Sequence, residues 1–219
     1  MSAISESIVR EYFELHGFFV RQQRKYSAPA KREDEEIDFF VLNPRYTECL
    51  STLPFVLGSA DLASLSRAIV VVKGWHTETF SLAVLEHAPE IFRFVEPRAF
   101  QQATRAFGNG GALTKILVVP ALPQGAEARE RSIQLLRSKG IDAVIPFHTM
   151  LSDLIEQTEA NRNYSKSDLL QIIRILKNYD FFKEPQLELF KAKRKGKPKA
   201  SAAPPGEAPA GKASPAAKE

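Results

Sequence analysis

Apolar residues along this chain recur at two spacings, and the spacing sorts the chain into helices and strands. Between residues 4 and 16, Ile8, Val9, Tyr12, Phe13 and Leu15 share one helical face opposite Glu6, Arg10, Glu11 and Glu14. That pattern predicts an amphipathic helix with Ser5 as N-cap and Gly17 as its stop. Phe18–Gln23 and Ile37–Leu42 read as strands, the second ended by Asn43-Pro44. Residues 45–67 are mixed and read as an irregular or helical insertion. Ala68–Val72 is an unbroken run of mainly β-branched residues, the pattern of a strand buried on both faces. A helix is expected from Thr77 to about His87, and Pro89 and Pro97 divide the next stretch into short pieces. Ile116–Val119 and Asp142–Phe147 read as further strands, with a helix at 126–139 between them and helices at 150–160 and 166–180 after them. In the last of these, Leu169, Leu170, Ile172, Ile173 and Leu176 fall in helical phase. The order α-β-β-β-α-β-α-β-α-α predicts an α/β domain over residues 1–185, its mixed central sheet flanked by helices.

Composition narrows the class. Of 219 residues, 44% are hydrophobic and 26% charged, an ordinary globular balance. No apolar run approaches the ~20 residues of a membrane span, so no membrane partner is expected. The N-terminus lacks the basic and apolar regions of a signal peptide. Cys49 is the single cysteine, which excludes an internal disulfide and a multi-cysteine zinc site and points to the cytoplasm. The net charge of +4 suggests a nucleic-acid binder until it is divided. Residues 191–219 hold eight lysines and arginines against two glutamates, a net +6, which leaves −2 for residues 1–190. This Lys/Pro/Ala-rich tail is expected to be disordered, serving either as a solubilising segment or as a loose contact for phosphates. Any phosphate-binding surface on the body must therefore be local.

Two charges stand out against their surroundings. Asp38 is an acid within an apolar strand, and Lys73 ends the most apolar strand of the chain. Burying either is costly unless it is paired. The first helix with its Glu6, then GFFV, EEIDFFV and AIVVVK, resembles the core of the restriction-endonuclease-like PD-(D/E)XK nuclease superfamily. The later KILVVP strand, the ARERSIQLLRSKG helix and the GIDAVIPF strand continue the resemblance, which covers roughly residues 4–155. It implies a restriction-endonuclease-like core in which Asp38 ligates Mg2+, Val72 adds its carbonyl oxygen, Lys73 activates water and Glu6 is an auxiliary acid. The family's second acid should stand at position 71, where this chain has Val71. One carboxylate makes a poor magnesium site, so Glu36, Glu78 or Glu86 would have to complete it.

Nucleic-acid contacts are expected from Arg21, Arg24, Lys25, Trp75 and His76, with DNA preferred to RNA and a homodimer left open. Thr77-Glu78-Thr79 looks like helix-capping chemistry. GNGGALTK lacks phosphate-loop spacing and reads as a connection. The functional expectation is a nuclease-like nucleic-acid-binding protein, a metal-dependent phosphodiesterase only if the site works without an acid at position 71. The alternatives are a non-catalytic interaction or regulatory module, with Asp38 and Lys73 as a structural ion pair, and a small-molecule domain using the turn at Gly74–Thr79.

Overall fold

The structure, a computed structural model, describes residues 3–23, 37–47, 52–108 and 112–182. Arg24, Lys25, Glu36, Cys49 and the basic tail lie outside the described residues. The expected alternation of elements is present. Helix α1 (Ala3–Leu15) leads into β1 (Phe19–Gln22) and β2 (Phe39–Leu42). Then come β3 (Arg67–Val72), the short α2 (Leu82–His87), α3 (Pro97–Phe107) and β4 (Thr114–Val119). Helix α4 (Ala126–Ser138), β5 (Ala143–Pro146), α5 (Phe147–Gln157) and α6 (Asp168–Asn178) complete the order. Two 3₁₀ helices, Ser59–Ser64 and Pro89–Val95, fill the connections. Among the described residues no helix is long and apolar enough to cross a membrane.

The sheet order is β1-β2-β3-β4-β5, with β1, β2 and β3 antiparallel to one another in turn and β3, β4 and β5 parallel. Antiparallel neighbours can be joined without crossing the sheet, whereas the parallel half needs crossovers, which α2–α3 and α4 supply. Alternating strand residues divide the core into two layers. Phe39, Val41, Val70, Val72, Val118 and Ile145 pack under α1, α5 and α6. Phe40, Ile69, Val71, Leu117 and Val119 pack under α2, α3 and α4 with the 3₁₀ helix Pro89–Val95. Ala68–Val72 is buried throughout, as its continuous apolar run requires.

Two expectations need correction, and a third, the irregular or helical insertion at 45–67, holds with the 3₁₀ helix Ser59–Ser64 and gains a sheet contact. Ser5 is no N-cap: it lies inside α1 and is fully buried. The helix expected from Thr77 begins only at Leu82, capped by Ser81, whose Oγ accepts from the Val84 N–H. The Phe80 N–H donates to the Ala121 carbonyl at 2.9 Å and the Phe80 side chain is buried, which keeps the residues before Leu82 out of the helix. Trp75–Glu78 form a turn, closed by the Glu78 N–H on the Trp75 carbonyl at 2.8 Å. The 45–67 insertion is partly a sheet element: the Leu57 N–H donates to the Val144 carbonyl at 2.9 Å, and the Val144 N–H to the Phe55 carbonyl at 2.7 Å. It thus passes along the outer edge of β5 before returning to β3.

Tyr12, at the centre of the α1 layer, is fully buried with its hydroxyl 3.1 Å from Ser59 Oγ. Burial pushes its phenol from 10.0 up to about 12, partly offset by the Ser59 hydrogen bond. The fold favours the neutral phenol, so this contribution is complete below pH 10 and is lost as pH rises through about 12. Denaturant titrations should show stability falling by about 2–3 kcal/mol across that window. Tyr12→Phe should lose that slope while costing about 1 kcal/mol at neutral pH.

Candidate functional site

The carboxyl end of β3 is where the apolar strand has to meet polar groups. Phe39 lies opposite Val70, which sets Asp38 beside the last residues of β3. The backbone of Asp38 bridges two strands: its N–H donates to the Val70 carbonyl at 3.1 Å, and its carbonyl accepts from the Gln23 N–H at 2.8 Å. Its side chain, 5% exposed, accepts the Val72 N–H on Oδ2 at 2.7 Å. The carboxylate thus stands in for a strand carbonyl at the end of the β2–β3 ladder, and satisfies a buried donor that would otherwise be orphaned. Lys73 is half-buried, and its N–H donates to the Val118 carbonyl at 3.0 Å, so its backbone belongs to the parallel ladder.

Glu6 reaches the same end of the sheet from α1. Its Oε2 accepts from Gln22 Nε2 at 2.7 Å, and Gln22 lies opposite Phe39 in the β1–β2 register. Glu6, Asp38 and Lys73 are therefore tied to adjoining ends of α1, β2 and β3. Val71 is 1% exposed and packs with Ile37 and Phe40, close neighbours of Asp38 in sequence. The position where the resemblance requires a second acid thus faces the core.

His76 is exposed, but its ring has two partners. Its Nε2 lies 2.9 Å from the Oγ of Ser5, and its ring meets Phe147 edge-on at 4.6 Å. Gly74 makes that arrangement possible: a Cβ there would sit 2.4 Å from Ser5 Oγ and 3.0 Å from Ser5 Cβ. Trp75 is half-buried and tilts against Phe80 at 5.6 Å, on the side of the sheet covered by α2. Glu78 and Glu86 are exposed, one in the turn and one on α2. Arg21 is exposed on the edge strand, lining a hollow of about 210 Å3 with Phe19, Phe40 and Phe107. It therefore lies on the α3 side of the sheet, whereas His76 lies on the α1 side.

Among the described residues no group of three or more histidine, cysteine or acidic side chains is placed to hold a metal ion. Asp38 Oδ2 and Glu6 Oε2 each accept a protein donor, and a hard cation needs several oxygens. A second polar hollow, of about 420 Å3, lies at the opposite end of β2, beside Asn43. There His16 Nε2 meets Asp153 Oδ2 at 2.8 Å, and Gln157 Nε2 donates to the same carboxylate. Neither the Ser5–His76 pair nor the His16–Asp153 pair has a local sequence signal, since each joins residues far apart in the chain. No protein-family model matches the chain, and neither a curated protein nor a solved structure matches it.

Two substitutions test this geometry. Asp38→Ala leaves the Val72 N–H buried without its acceptor and should cost about 2–3 kcal/mol in a chemical denaturation curve. Asp38→Asn keeps a carbonyl oxygen in place and should cost less. Gly74→Ala should cost about 1–3 kcal/mol by forcing α1 away from the loop after β3. Adding Ser5→Ala removes the atom at 2.4 Å and should recover part of that loss, a non-additivity that a double-mutant cycle measures.

Proposed function

We propose that the chain is a nuclease-like nucleic-acid-binding protein with a restriction-endonuclease-like core, holding phosphate at the carboxyl end of β3 without cutting it. The observation that carries this reading is that Glu6, Asp38 and Lys73 are placed at the same end of the sheet by three different elements, α1, β2 and β3. The order of elements supports it as well: a helix, an antiparallel three-strand meander, a helical crossover and a parallel strand succeed one another as the resemblance implies. The half-buried Lys73 is the cation this site offers to a phosphate, with His76 and Trp75 next to it. DNA is taken as the partner because the resemblance is to DNA-cleaving enzymes.

The commitment of Asp38 to the Val72 N–H and the burial of Val71 favour binding over hydrolysis. The same two observations favour a second reading, in which the polar end is purely structural and the domain is an interaction or regulatory module. A catalytic form would need Mg2+ and an additional acid, and Glu36 is the acid nearest to Asp38 in sequence.

Fluorescence anisotropy on duplex and single-stranded DNA separates these readings. Lys73→Ala should weaken binding by about three- to tenfold, while deletion of residues 191–219 should flatten the salt dependence but preserve the Lys73 effect. Affinity that ignores Lys73→Ala and vanishes with the tail would leave only the interaction module. Incubation of plasmid, single-stranded and structured substrates with Mg2+ or Mn2+ should give no cleavage; cleavage by wild type that Lys73→Ala abolishes would establish an active nuclease. Val71→Glu, which restores the missing acid, should destabilise the domain by about 3 kcal/mol or more, since its carboxylate enters the core.

A further inference from the structure

Helix α6 is apolar on two sides, and among the described residues no element covers the second. Leu170 and Ile173 are buried against the core. One step round the helix, Ile172 is 55%, Ile175 44% and Tyr179 74% exposed, at the i, i+3, i+7 spacing of a single row. Phe181 and Phe182 extend the patch at 73% and 40% exposed.

The turn that ends α6 fixes this display. The Asp180 N–H donates to the Lys177 carbonyl and the Phe181 N–H to the Leu176 carbonyl, with Asp180 at φ 61. That is the usual glycine-ended helix stop with aspartate in the left-handed position, and the residue after it commonly packs back on the last turn. Phe181 instead faces outward.

The cations of α6 are directed away from the row. Arg174 Nε donates to the Ala160 carbonyl at 3.1 Å, and Lys177 Nζ donates to the carbonyls of Glu156 and Thr158 at 3.3 and 2.7 Å. Both therefore serve the last turn of α5 and the segment after it. What remains between Ile172 and Tyr179 is an apolar row without a charge of its own, bordered by the exposed Asp168 and Asp180 at its two ends.

We propose that α6 is a self-association surface, which two copies of this chain bury by packing the row from Ile172 to Tyr179 antiparallel across a two-fold axis, with Phe181 and Phe182 at its ends. An isologous contact of this kind needs only one self-complementary patch. Taking ~200 Å2 for each aromatic side chain and ~100 Å2 for an isoleucine, the exposed fractions amount to roughly 500 Å2 per copy. Doubled, this gives about 1,000 Å2, the lower bound for a specific interface, so the dimer is weak, with a dissociation constant in the micromolar range.

Sedimentation velocity of the full chain from about 1 to 200 μM, in about 0.5 M salt to screen the basic tail, tests this. Wild type should pass from monomer to dimer across that range. Ile172→Lys with Ile175→Lys should raise the dissociation constant at least roughly tenfold, as loss of a central apolar anchor does. Its thermal unfolding midpoint at the lowest concentration should match that of wild type, since both side chains are about half exposed. Tyr179→Ser with Phe181→Ser gives an independent second variant with the same expected weakening. A chain that stays monomeric throughout overturns the proposal. So does a dimer that survives both α6 variants yet is lost in Phe19→Lys, which would move the contact to the edge strand β1.

Discussion

Ala68–Val72 is buried on both faces and paired on both edges, and the rest of the domain is arranged to keep it so. An antiparallel neighbour on one side can be reached through the meander, but a parallel neighbour on the other requires the chain to cross back over the sheet. Helices α2 and α3 make the first crossover and cover one face. The opposite face of β3 then has to be covered by elements from the two ends of the domain, α1 from the beginning and α5 and α6 from the end. The insertion between β2 and β3 goes to the outer edge of β5, where it shields a strand that would otherwise present unpaired backbone groups.

A strand this apolar needs a defined stop, and the stop concentrates polar groups at one end. Beyond Val70 the Asp38 carboxylate, acting as a strand carbonyl would, takes the Val72 N–H. On the other edge the ladder continues one residue further, through the Lys73 N–H and the Val118 carbonyl. Gly74 then lets the first turn of α1 come within contact of the chain, which sets Ser5 against His76. Each step solves a packing or hydrogen-bonding problem of β3, and together they bring Glu6, Asp38, Lys73 and His76 to the same region. The proposed phosphate contact is thus a use made of the place where a buried strand has to become polar.

The features legible in the sequence were those that depend on local periodicity. The strands, α1 and its stop at Gly17, and the two-faced burial of Ala68–Val72 come from spacing and β-branching alone. The features that were not legible depend on contacts between distant segments. The bond from Phe80 to Ala121 delays α2 until Leu82, and nothing near Thr77 announces it. The pairing of Phe55 and Leu57 with Val144 is equally remote. In α6, Ile172 and Ile173 are chemically identical and both fall within the helical phase of the apolar residues; only Ile173 is buried. Around the candidate site, Asp38 and Lys73 were visible as charges in apolar strands. The Val72 N–H was not visible as a partner of Asp38, because backbone donors leave no trace in side-chain pattern.

Val71 shows why these points cannot be separated. Alternation along β3 directs it into the layer that contains Ile37, Phe40, Phe80 and Leu117 under α2, α3 and α4. A carboxylate at that position would need either water or a cation in a region now filled by those side chains. Valine in place of the acid is therefore coupled to the packing of an entire face. Asp38, relieved of a partner acid, acts as the backbone acceptor that ends the strand. Burial of Val71 and engagement of Asp38 form one consistent arrangement at the end of β3. On the proposed reading Lys73 is the group that meets a phosphate there, whereas hydrolysis would require Asp38 and Glu6 to be released for a metal.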